Sequence, residues 1–236
     1  MCLVRPMRHG VIIAVFFSAA FLVVAAGVNT DYITPPFTFS PDHRYGVMIP
    51  VFHIEPNAPD DRINKVVELA SGQVVAVVHA KLGYDRALNF HETTPPRWSA
   101  DSSLLLWKVN GKWNPDALVL VKIEQNRAKW QLNLLRTAQQ ALLSRTRQTA
   151  PEQYQKCKKA NAGSGRAFPD GFTIDVTTDG EDTNTVSLPL RVQADLSSNP
   201  KQIEDFPNLD SHLDALITPD GKFVVKDFHL GSSKQW

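Results

Sequence analysis

The feature that most limits what this chain can fold into is a hydrophobic period that changes twice along its length. Between residues 45 and 132 the apolar residues come in short runs rich in β-branched and aromatic side chains, separated by turn-forming residues. These runs predict strands at 45–54, 65–69, 73–80, 104–109, 117–124 and 129–132. Pro50 and Pro189 each predict an edge strand or a bulge, because proline has no N–H to give a sheet. Then Leu134, Leu135, Ala138, Ala141 and Leu142 recur at i, i+1, i+4, i+7 and i+8, which is one face of a helix over 133–147. Thr149-Ala150-Pro151-Glu152 reads as a capping box with proline in the first turn, opening a second helix to about Ala160. Strand signals return at 172–177, 187–196, 213–217 and 223–230. The chain is therefore expected to be mainly β, an antiparallel meander or sandwich, with a helical insertion at about 133–160, α+β overall. Its expected organisation is a leader over 1–26, an N-terminal β-meander region over 27–132, a helical connection over 133–165 and a C-terminal β region over 166–236 packed on the first.

One short pattern occurs three times: Phe39-Ser40-Pro41-Asp42-His43-Arg44-Tyr45, Trp98-Ser99-Ala100-Asp101-Ser102-Ser103-Leu104 and Ile217-Thr218-Pro219-Asp220-Gly221-Lys222-Phe223. The shared form is apolar-[Ser/Thr]-[Pro/Ala]-Asp-x-x-apolar, followed by a strand. Proline presets φ at the first central position of a turn, and aspartate bonds back to the turn backbone. These residues resemble the Ser-Pro-Asp-Gly turns of TolB-type and related β-propeller blades. The resemblance covers about 21 residues, and the spacings of 59 and 119 depart from the roughly 40–50 residues of a blade repeat. It implies hairpin turns and two blade-like sheets, or one bent sheet, over 37–132, and not a closed ring.

The N-terminus predicts export. Arg5, Arg8 and His9 precede 18 uncharged residues, Val11 to Val28, ending in the small-residue pattern that signal peptidase accepts. Cleavage after Ala26 or Gly27 would place the mature chain in the periplasm or outside the cell. Left uncut, the run reaches the lower limit for spanning a membrane and would be an anchor. Cleavage also removes Cys2, so Cys157 is expected alone and the folded chain without a disulfide. Its Lys-rich surroundings are expected to lower its pKa somewhat.

Charge is unevenly spread. Residues 127–166 hold nine Lys or Arg and one acid, Glu152, whereas 167–236 hold twelve acids and five bases. The two segments are expected to pack on each other, with an anionic envelope partner for the basic one as the sharper alternative.

Motifs for chemistry are sparse. The Ser198-to-Lys201 spacing matches S-x-x-K, but Pro200 argues against the helix that pattern needs. His91 and Glu92 lie in a long stretch, 81–97, of the kind that often carries function. Asp210 and His212, with Asp214, fall on one side of an extended segment. His91, Glu92, Asp210 and His212 are thus the candidate catalytic residues; no metal site and no cofactor is expected. Nucleic acid is not expected as a partner, because the basic segment lacks interleaved aromatics. The expected function is a non-catalytic exported envelope protein that binds a protein or an anionic polymer. Candidate binding residues are Arg136, Arg145, Lys156, Lys158 and Lys159. The alternatives are an exported hydrolase with a non-local site and a structural subunit of an envelope assembly.

Overall fold

A computed structural model describes residues 32–50, 64–78, 95–110, 115–161, 169–180, 183–198 and 207–232. The expected leader over 1–26, His91, Glu92 and most of the 81–97 stretch lie outside the described residues.

The described strands form antiparallel four-stranded sheets, each a meander in chain order. The first holds β1 (Tyr32–Ile33), β2 (Tyr45–Pro50), β3 (Asn64–Glu68) and β4 (Val74–Val78). The second holds β5 (Arg97–Trp98), β6 (Leu104–Asn110), β7 (Pro115–Glu124) and β8 (Arg127–Asn133). Helices α1 (Leu134–Thr149) and α2 (Pro151–Asn161) follow. The third sheet holds β9 (Thr173–Thr178), β10 (Leu190–Ser197), β11 (Asp210–Ile217) and β12 (Phe223–Leu230). The chain is mainly β with a helical insertion, as its periodicity predicts.

The second sheet is the middle layer because β6 and β7 are apolar on both faces. Leu105, Trp107, Val119, Val121 and Ile123 pack against Tyr45, Val47, Val66, Ala76 and Val78 of the first sheet. Leu104, Leu106, Leu118 and Leu120 point the other way, onto Leu134, Ala138 and Leu142 of α1 and the inner face of the third sheet. That inner face is Ile174, Val176, Val192, Ala194, Leu196, Leu213, Ala215 and Ile217. Each such side chain contributes about 1.5–3 kcal/mol on leaving water. These two cores carry the fold without a disulfide, since Cys157 is buried and free.

Strand β8 passes directly into α1. Asn133 is its N-cap, its side-chain oxygen accepting from the Arg136 N–H at 3.0 Å. Thr146, fully buried on α1, donates to the Leu142 carbonyl at 2.8 Å and sits 2.6 Å from the Ser211 hydroxyl, which must then be the donor. This is a polar pin between α1 and β11. The capping box does not form: Thr149 is the last residue of α1 and the helices meet at Ala150. The Ala150 N–H donates to the Thr146 carbonyl, and its own carbonyl accepts from Tyr154.

Both proline expectations need correcting. Strand β2 is paired on both sides, and Pro50, its last residue, lies opposite Tyr32 of β1. Pro189, after a cis bond to Leu188, precedes β10, which is a central strand. Residues 32–39 are docked on β2. Thr38 is fully buried, its hydroxyl donating to Pro35 O at 2.7 Å and accepting from the Val47 N–H at 3.1 Å.

The recurring turn has one internal geometry. Ser40 donates to Asp42 Oδ1 at 2.7 Å and accepts the Tyr45 N–H at 3.0 Å. Ser99 donates to Asp101 Oδ1 at 2.6 Å and accepts the Leu104 N–H at 2.8 Å. Thr218 donates to Asp220 and accepts the Lys222 N–H at 3.1 Å. The residue after aspartate has positive φ each time, 58° at His43, 58° at Ser102 and 81° at Gly221. The third turn is one residue tighter. Ser40 and Ser99 bond to the carbonyl five residues on, Thr218 to the one four residues on.

The first two turns lie side by side. The Asp42 N–H donates to Ser102 Oγ at 3.2 Å, the Trp98 indole donates to the Thr38 carbonyl at 3.1 Å, and Tyr45 stacks on Trp98. The first two sheets are thus consecutive blade-like meanders. The third packs on α1 and on the second sheet through its apolar face, and Thr185, ahead of β10, adds an isolated bridge to Trp98.

Candidate functional site

Alternation along β10 and β11 gives the third sheet an apolar inner face and a strongly ionic outer one. Arg191, Gln193, Asp195 and Ser197 of β10 share the outer face with Asp210, His212 and Asp214 of β11. Register then lines residues up across all four strands. Asp175, Asp195, His212 and His229 form one row, and Thr177, Gln193, Asp214 and Asp227 the next.

His212 is the centre of this array and is only 3% exposed. Its Nδ1 lies 2.8 Å from Asp195 Oδ1 and its Nε2 lies 3.3 Å from Asp214 Oδ2. Its ring tilts against that of His229 at 5.2 Å. Arg191 Nε donates to Asp214 Oδ1 at 3.0 Å, with Nη2 at 2.9 Å from the same oxygen. Burial pushes the Asp214 carboxyl up, but hydrogen bonds from Arg191, His212 and Gln193 and the Arg191 charge outweigh it and hold the pKa low. His229 has Asp227 and the Ser232 carbonyl on its two nitrogens, each at 3.3 Å.

A general base must turn an open nitrogen toward the proton it removes. His212 faces a carboxylate on each side, an arrangement that ties strands together. Asp210, two residues away on the same face, bounds with Asp175 and Asp195 an open hollow of about 270 Å³ that Thr173, Leu196, Ser197 and Ser232 also line. Among the described residues no three His, Cys, Asp or Glu side chains gather as metal ligands.

The basic candidates lie on the two helices. Arg136, Arg145, Lys156 and Lys159 are exposed, and their side chains make no hydrogen bond or ion pair among the described residues. Helical geometry separates some of them: nine residues at about 100° each set Arg145 half a turn from Arg136. Lys156 and Lys159 share the outer face of α2. Lys158 turns instead to Asp170, 2.8 Å away, which also accepts from the Tyr154 hydroxyl at 2.5 Å. These two donors hold the Asp170 carboxyl low, while burial and the Asp170 bond push the Tyr154 phenol up.

The basic and acidic segments do pack together, but through the apolar face of α1; Lys158 to Asp170 is the one Lys–Asp ion pair joining them among the described residues. Cys157 departs from expectation. Burial raises its pKa, outweighing Lys156, and its thiol donates to the Pro207 carbonyl at 3.4 Å.

Arg191, Asp195, Asp227 and His229 escape sequence reasoning as site residues. Their polar alternation is visible, but which of them meet depends on strand register. No family model, curated protein or solved structure matches the chain.

Proposed function

We propose that this chain is a non-catalytic exported protein, delivered to the periplasm or beyond by the leader at 1–26, that binds an anionic partner through the outer faces of α1 and α2. The observation that carries this reading is the set of exposed bases Arg136, Arg145, Lys156 and Lys159, whose side chains make no ion pair among the described residues. A cation that its own fold leaves unpaired raises the local potential and attracts anionic surfaces. The engagement of both His212 nitrogens by carboxylates supports a binding role over hydrolysis.

The test is binding of the exported chain to lipopolysaccharide and to peptidoglycan across ionic strength. Binding should be present near 0.01 M salt, where screening reaches about 30 Å, and largely lost near 1 M, where it falls to about 3 Å. Alanine at the four bases should weaken it at least about tenfold. Undiminished binding by that variant would remove the electrostatic reading.

A further inference from the structure

We propose that the anionic partner of the helical bases is a second copy of this chain, which presents the outer face of its third sheet. The inference rests on the basic-face reading above and names its partner. The outer face exposes Asp175, with the Asp195 and Asp227 side chains 43% and 63% exposed. Asp210 adds a fourth carboxylate at the rim of the hollow. Arg191 is the guanidinium on this face, and it is committed to Asp214.

The hollow suits a lysine or arginine head. Asp175, Asp195 and Asp210 supply charge, and Ser197 and Ser232 supply oxygen acceptors. The Thr173 hydroxyl at its wall is buried without a hydrogen-bond partner. The protein carries matching cations on α2, where Lys156 and Lys159 are exposed and make no ion pair among the described residues. Helix α1 packs on the inner face of the third sheet, and the carboxylates stand on the outer one. Both surfaces are open to another molecule, and the proposed contact joins the bases of one copy to the carboxylates of the next. It closes as a two-fold dimer where the two patches of each copy meet reciprocally, and otherwise runs head to tail.

The experiment is sedimentation of the chain as exported, over a range of concentrations, at about 0.01 M and about 1 M salt. The expected result is mass that grows with concentration at low salt and monomer at high salt. Two isosteric neutralisations, Asp175→Asn with Asp210→Asn and Lys156→Gln with Lys159→Gln, should each weaken association at least about tenfold. Mixed one to one, the two variants should form a dimer and stop there, since each retains one intact half of the interface. Circular dichroism confirms that both remain folded.

A wild-type chain that stays monomeric at low salt overturns the proposal, as does association that survives both variants or a mixture that stays monomeric. If the monomeric chain still binds lipopolysaccharide or peptidoglycan through its bases, the self-partner fails and the basic-face reading stands. If it binds neither, both fall.

Discussion

Replacing Asp101 by asparagine isolates one charge in one turn. The Asp101 carboxylate accepts from Ser99 Oγ at 2.6 Å, the Ser103 N–H at 3.1 Å and Ser103 Oγ at 2.7 Å. Lys122 in turn donates to Ser103 Oγ at 2.7 Å, bringing its charge close. These bonds, the Ser99 hydroxyl first, pull the Asp101 pKa from 3.8 down to about 2. At face value the shift is worth about 2 kcal/mol of folding stability. The carboxylate is exposed, so solvent screening leaves about 1 kcal/mol. The sign follows from the depressed pKa: the stabilisation is complete above the unfolded value of 3.8 and is lost as pH falls through about 2. Asp101→Asn should therefore unfold about 1 kcal/mol more easily in urea at pH 7, followed by tryptophan fluorescence. The gap should shrink to about a third of that by about pH 2.5. A gap of equal size at both pH values would show that shape, not charge, holds the turn; no gap at pH 7 would refute the hydrogen-bond argument outright.

Leu142→Ala should cost about 2–5 kcal/mol by thermal or urea unfolding, because Leu142 is fully buried where α1 meets two sheets. Gly221→Ala should be worse than Gly72→Ala. Both glycines have positive φ, but a Cβ at Gly221 would stand 2.8 Å from the Trp130 ring, whereas Gly72 opens to space. Thr146→Val should cost about 1–3 kcal/mol by leaving the Ser211 hydroxyl buried and unpaired, and adding Ser211→Ala should recover part of the loss.

The elements were legible where the signal is local. The i, i+4, i+8 spacing of Leu134, Ala138 and Leu142 predicts α1, and these residues line its buried face. The turn at Asp42, Asp101 and Asp220 was legible because its hydrogen bonds stay within about five residues. Its third copy misleads by one residue, since the closing carbonyl is chosen by strand pairing and not by the Thr-Pro-Asp-Gly letters. Pro50 and Pro189 misled for a related reason. A missing N–H predicts an unpaired side, yet a proline at or before a strand end satisfies the same restriction in a central strand.

The ionic face divides the same way. Polar residues alternating along 191–197 and 210–214 require an outer face once the segments are strands, and the sequence alone carries that much. Only the tertiary structure decides that His212 lies opposite Asp195 and His229, that Arg191 claims Asp214, and that the apolar side of α1 packs on the inner face of the third sheet. Those contacts join residues from different strands and helices, and their meeting depends on register and packing, which are set by the whole core and written in no single segment.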